Sequence, residues 1–156
     1  MKRRDFVRAA AFTAASYSRI LGANDRLGMA LIGTGRRGRE VMRALLETRQ
    51  VDLVGLCDIY DVQMERARQM LGKAQHESGK HEEILARPGV DAVLIATPDH
   101  WHLDIALDAL KARKHVLLEK PAVHQHQEGA ELYRAAKLSD RMVMVGTQQR
   151  SGPHYK

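Results

Sequence analysis

Leu27-Gly28-Met29-Ala30-Leu31-Ile32-Gly33-Thr34-Gly35-Arg36-Arg37-Gly38 decides the fold of this chain. A mostly apolar run ends at Gly33, and an amphipathic stretch over 39–48 follows, which reads as strand, tight turn and helix. The pattern repeats outward from there. Bounded apolar runs at 51–57, 91–96, 115–118 and 142–145 read as strands, and helical spacing at 61–71, 103–112 and 128–138 separates them. Asp61 is the expected N-cap of the 61–71 helix and Gly72 its terminator. Residues 73–80 read as a polar turn and 81–86 as a short helix. Strands that are apolar throughout, alternating with helices, predict an α/β domain built on a doubly wound parallel sheet covered on both faces.

Composition bounds the function. With 156 residues, 44% of them apolar and 28% charged, the chain has the size and balance of one globular domain. The net charge of +6 is concentrated at the start: residues 1–23 carry +4, which leaves +2 for the rest. That residue of charge and an aromatic content of 4% supply neither a basic stripe nor stacking platforms, so nucleic acid is not an expected partner. A single cysteine, Cys57, excludes an internal disulfide framework and a cysteine-built zinc site.

In an open parallel sheet, ligands bind outside the carboxyl ends of the strands. Every unusual cluster falls there. Gly33-Thr34-Gly35 follows the first apolar run, Asp58 the second, Thr97-Pro98-Asp99-His100 the third, Glu119-Lys120-Pro121 the fourth and Gly146-Thr147-Gln148 the fifth. Gly33-Thr34-Gly35-Arg36-Arg37-Gly38 fits Gly-x-Gly-x-x-Gly between a strand and a helix: Gly33 for the tight turn, Gly35 for approach of a pyrophosphate, Gly38 for close packing. The helix N-terminus adds exposed N–H groups and a favourable dipole for the anion. Asp58 lies 20 residues past Gly38, where a carboxylate accepts hydrogen bonds from both ribose hydroxyls and repels a 2′-phosphate. NAD is therefore favoured, and Arg36 with Arg37 keeps NADP open.

With these residues, Ala96-Thr97-Pro98, His100, His102 and Glu119-Lys120-Pro121 make the chain resemble the glucose-fructose oxidoreductase, inositol dehydrogenase and rhizopine-catabolism family (Gfo/Idh/MocA) from about residue 27 to 150. The resemblance implies a Rossmann domain that binds NAD(P), followed by a larger α/β domain for a sugar, cyclitol or related polyol. It implies that Lys120 is the catalytic residue, holding the substrate hydroxyl beside the nicotinamide and sharing in its proton relay. Glu119 would position Lys120 or contact the nicotinamide ribose. His100-Trp101-His102 would line the nicotinamide pocket or serve capping and packing. Cofactor contacts are thus expected from Gly33, Thr34, Gly35, Arg36, Arg37, Gly38, Asp58, Thr97, Pro98, His100, His102, Glu119, Lys120 and Gln148. His100 and His102 lack a carboxylate to complete a metal site, so no metal is expected. His124 and His126 read as exposed loop residues.

The resemblance implies a second domain after residue 150, so these 156 residues are expected to be a fragment of the whole protein rather than a free-standing nucleotide-binding domain. The expected organisation is a signal at 1–23, a nucleotide-binding domain at 24–150 and the start of a crossover at 151–156, with little catalysis by this half alone and a homo-oligomer at full length. An NAD-dependent glycosidase of the same fold and a non-catalytic cofactor-binding subunit are the competing readings. The N-terminus, Lys2-Arg3-Arg4-Asp5-Phe6-Val7-Arg8 before a short run of small residues, resembles a twin-arginine signal. It implies recognition by the export machinery and a periplasmic destination, without stable membrane insertion.

Overall fold

A computed structural model of the chain describes residues 26–147. The elements in order are β1 (Leu27–Ile32), α1 (Arg36–Glu47), β2 (Val51–Cys57), α2 (Asp61–Leu71), β3 (His76–Ser78), α3 (His81–Leu85), β4 (Ala92–Ile95), a single 3-10 turn (Asp99–Trp101), α4 (His102–Lys111), β5 (His115–Leu118), α5 (Glu128–Leu138) and β6 (Val143–Val145). The six strands form one parallel sheet in the order β3-β2-β1-β4-β5-β6. The chain winds outward through β2 and β3, then returns to lay β4 on the other side of β1. The switch point lies between β1 and β4.

Alternation along each strand fills two cores. Met29 and Leu31 of β1, Leu56 of β2 and Leu94 of β4 pack with Met42 of α1 and Met64 and Ala67 of α2 on one face. On the other face Ala30, Ile32, Val93 and Ile95 meet Ile84 of α3, Leu103, Ile105, Ala106 and Leu110 of α4, and Leu132 of α5. A strand buried on both faces shows no polar alternation, which is why β1 and β4 read as continuous apolar runs. The expected doubly wound Rossmann sheet is the observed one.

Three local expectations need correction. The stretch 73–80 is not all turn: β3 pairs with β2 through Gly55↔His76, Leu56↔Glu77 and Cys57↔Ser78. This edge strand takes its ladder from its neighbour and half-buries polar side chains, so it carries no apolar signature. Glu77 is held there by Arg68 at 2.8 Å. Asp61 is not the N-cap of α2, because the Asp58 carboxylate already accepts the Tyr60 N–H at 2.9 Å and the helix begins after Tyr60. Helix α1 starts at Arg36, three residues earlier than expected, because the glycine turn itself leads into it with Gly35 as N-cap.

Candidate functional site

The strand registers bring the carboxyl ends together. Ile32 is level with Cys57 and Ile95, Ile95 with Leu118, and Leu118 with Val145. The clusters that follow these residues therefore share one edge, as the sequence implies.

Gly33 has φ +88, and a Cβ there would lie 2.6 Å from both the Ala96 carbonyl carbon and the Thr97 nitrogen. A Cβ on Gly38 would run into the Gly33 carbonyl oxygen, so the start of α1 sits at the closest approach to the turn. Gly35 differs, since nothing lies within 4 Å of the place its Cβ would take. Two glycines let the backbone close up, and the third keeps space open in front of the helix N-terminus.

Thr34, 0% exposed, donates its N–H and its hydroxyl to Oδ2 of Asp58 at 2.7 and 3.0 Å. With Tyr60 N–H on Oδ1, three bonds hold this carboxylate across the β1 and β2 ends. A carboxylate offers about four lone-pair sites, so one acceptor position remains on Oδ1. The carboxylate expected to meet the ribose hydroxyls is thus clasped by Thr34 and Tyr60. Beside it, burial first and then the charges of Asp58, Glu82 and Glu83 push the Cys57 thiol up to about 12, so the group is neutral.

A groove of about 380 Å³ opens over the switch point, lined by Gly33, Gly35, Asp58, Thr97, Pro98 and Trp101 among others. It also takes in Ile59, Gly79, Lys80, His81 and Glu82. Sequence reasoning missed all five: Ile59 follows Asp58 on the turn after β2, while Gly79, Lys80, His81 and Glu82 run from the loop after β3 into α3 and are placed by that unpatterned strand. Thr97 buries its Oγ1 without a hydrogen-bond partner among the described residues. A buried, unsatisfied hydroxyl on the wall of a groove is a group awaiting a ligand. Together with the open space before Gly35, it fits a dinucleotide whose phosphates sit at the α1 N-terminus.

The remaining expected contacts separate into two groups. His102 is 2% exposed, with Nδ1 2.7 Å from the Pro121 carbonyl oxygen and Nε2 3.1 Å from that of Thr97. The ring stands between the two carbonyls as a strut joining the loops after β4 and β5, and it is not among the residues that line the groove. Arg37 donates Nε–H to Oε1 of Glu119 at 3.0 Å, and Arg36 pairs with Glu40 at 3.2 Å. Neither arginine lines the groove. Glu119, 5% exposed, also accepts the Lys120 N–H on Oε2 at 3.1 Å, tying α1 to the end of β5. Lys120 follows it into solvent, exposed.

His100 is exposed, 5.9 Å from the Trp101 ring and 6.4 Å from that of His124. Of the three residues at this turn only Trp101 reaches the groove. His124, read from the sequence as a plain loop residue, bonds through Nδ1 to Asp99 at 3.2 Å and holds that carboxyl below its ordinary range. Gln148 lies outside the described residues, as do residues 1–25 and 151–156 with the signal and crossover assigned to them. Among the described residues there is no group of three or more His, Cys, Asp or Glu side chains that could hold a metal ion, and no helix is long and apolar enough to cross a membrane.

Comparison with known proteins gives the same placement. Residues 27–147 match the model of an oxidoreductase family with an NAD-binding Rossmann fold, GFO_IDH_MocA. A glycosyl hydrolase family 109 protein of Stenotrophomonas maltophilia is 30% identical over 99% of this chain and 35% of its own length. Among solved structures, myo-inositol 2-dehydrogenase from Lactobacillus plantarum superposes with a TM-score of 0.75 at 26% identity, covering 82% of this chain and 38% of that one. A protein of gentamicin A biosynthesis, solved in complex with NAD, gives 0.77 at 27% identity over 85% and 38% of the two chains. The chain thus spans about a third of the length of the proteins it matches.

Proposed function

Starting from the premise that this chain belongs to the Gfo/Idh/MocA family of NAD-binding oxidoreductases, we propose that it is the nucleotide-binding part of an enzyme that moves a hydride between NAD(P) and a sugar or cyclitol hydroxyl. One observation carries the reading. The Asp58–Thr34 clasp, the open space before Gly35 and the unpartnered Thr97 hydroxyl meet in a single groove at the switch point of a parallel sheet.

The nicotinamide supplies the hydride acceptor. The chain supplies the rest of its half-site. Glycine-loop N–H groups and the α1 dipole hold the pyrophosphate, Asp58 takes a ribose hydroxyl on Oδ1, and Thr97 donates or accepts through its free hydroxyl. Glu119, braced by Arg37, fixes the backbone of Lys120. The Lys120 side chain would hold the substrate oxygen, its neutral amine accepting the hydroxyl proton as the hydride passed to the nicotinamide. Substrate held by this half alone stays open to water, so turnover needs the second domain.

The test uses the full-length protein with NAD and a panel of sugars and cyclitols. Lys120→Ala is expected to lower kcat by about 10²-fold or more, with NADH affinity nearly unchanged. Equal rates in the two proteins would remove Lys120 from the chemistry.

The glycosyl hydrolase relative favours a second reading, in which transient oxidation of a sugar carbon assists cleavage of a glycosidic bond. The intact Glu119-Lys120-Pro121 favours net oxidation instead. A nitrophenyl glycoside separates the two: aglycone released without accumulation of NADH supports the glycosidase. The twin-arginine-like start further supports export to the periplasm, and the whole protein is proposed to be a homo-oligomer. A reporter fused behind residues 1–30 and found only in the cytoplasm would remove the export proposal.

A further inference from the structure

Arg37 stands just before the last glycine of the motif, yet it does not line the groove that the motif builds. Its platform is rigid. A Cβ on the next residue, Gly38, would run into the Gly33 carbonyl oxygen and lie 3.0 Å from Leu31 and 3.2 Å from Ala96, so the first turn of α1 rests directly on the ends of β1 and β4. From there the guanidinium reaches past β4 to Glu119, the residue that follows β5. In the sheet order that end lies two strand spacings from β1, roughly 9–10 Å. A long side chain ending in a planar fork suits such a span.

The far end of the pair is buried: the Glu119 side chain is 6% exposed, against 44% for Arg37. Its two oxygens have different tasks. Oε1 accepts the Arg37 Nε–H at 3.0 Å, and Oε2 accepts the Lys120 N–H at 3.1 Å. The terminal torsion of a glutamate is broad, so an ion pair on Oε1 aims Oε2 at the lysine backbone. A carboxylate taken out of water also depends on a cationic partner to keep its charge.

Resting on the reading of Lys120 as the base for the substrate hydroxyl, we infer that Arg37 is a positioning residue for Lys120, acting through Glu119. A member of the glycine motif then governs the rate of hydride transfer and leaves nucleotide affinity alone, although its place in the motif marks it as a cofactor contact. Removing the arginine lets the Glu119 carboxyl group turn or take up a proton, and either change loosens the anchor under Lys120.

The test uses the full-length protein with NAD and the panel of sugars and cyclitols, with NADH binding followed separately by fluorescence. Arg37→Met is expected to lower kcat by about ten-fold or more while the NADH dissociation constant stays within about two-fold of the parent. Arg37→Lys keeps the charge and is expected to bring kcat back to within roughly three-fold of the parent. Glu119→Gln and the double variant Arg37→Met, Glu119→Gln form a second arm that leaves no buried carboxylate without its arginine. Residues acting in series are not additive, so the double variant is expected to match Glu119→Gln in kcat within about two-fold. Three results overturn the inference while the role of Lys120 stands: Arg37→Met with kcat unchanged, Arg37→Met with weakened NADH and kcat intact, or a further ten-fold loss in the double variant. Should Lys120→Ala turn over as fast as the parent, or the parent oxidise no member of the panel, the reading beneath it falls and this inference with it.

Discussion

Gly33 and Gly35 occupy the same motif and fail differently when changed. Gly33→Ala forces a side chain into a left-handed backbone position and onto the Ala96–Thr97 peptide. The expected cost is about 2–4 kcal/mol of stability, read as a lowered thermal midpoint. Gly35→Ala meets no atom and should leave that midpoint within about a degree or two, since a compatible surface change moves stability by ~0.5 kcal/mol or less. Its methyl enters the space over the α1 N-terminus, so NADH affinity is expected to drop by ten-fold or more, about 1.4 kcal/mol. Finding both variants equally unstable would mean that Gly35 is structural too. The motif alone does not distinguish these roles: three glycines look alike in a sequence, and only the neighbours across the sheet reveal which one clears space.

At the scale of elements, the site depends on how the loops after β4 and β5 are joined. His102, first residue of α4, stands between the Thr97 and Pro121 carbonyl oxygens, so His102→Ala removes the link between these loops and empties the space of a ring that is 2% exposed. A loss of about 2–4 kcal/mol is expected, with weakened NADH binding because Thr97 moves with it. A midpoint equal to that of the parent would show the strut to be idle. At the end of β2, Cys57 contributes a pH effect of definite sign. Its folded pKa is raised from 9.0 to about 12, so the stabilisation is fully present below pH 9 and is lost as pH rises toward about 12. Denaturant midpoints followed over that window should fall more steeply for the parent than for Cys57→Ser, and a thiol reagent at pH 8 should label the folded chain far more slowly than the unfolded one. Most of the elements were legible from periodicity, and β2, α2, β5 and α5 lie at their expected positions. Strand β3 was not, because an edge strand of His76, Glu77 and Ser78 has no apolar pattern to read.

For the whole molecule, coverage of the sheet is uneven. Helices α4 and α5 cover β4 to β6 on one face, while among the described residues no helix crosses β5 and β6 on the other. Met142 and Met144 stand there 66% and 56% exposed, next to Leu117 of the open face. A parallel sheet with a bare apolar flank is prone to self-association. The double variant Met142→Lys, Met144→Lys is expected to reduce association in light scattering while changing stability by no more than about 0.5 kcal/mol; unchanged scattering would clear this face. The sequence by itself determined the alternation of strand and helix, the glycine turn, the acid after β2 and the edge on which the special residues gather, because these are encoded in local spacing and in the identity of residues at strand ends. Which residues reach the groove was decided only by the tertiary structure. Arg37 pairs with Glu119, 82 residues away, His102 turns into the core, and Lys80 reaches the groove from the loop after a strand that pairs with β2. Each outcome follows from contacts between distant segments, whose hydrogen bonds and burial local sequence does not specify.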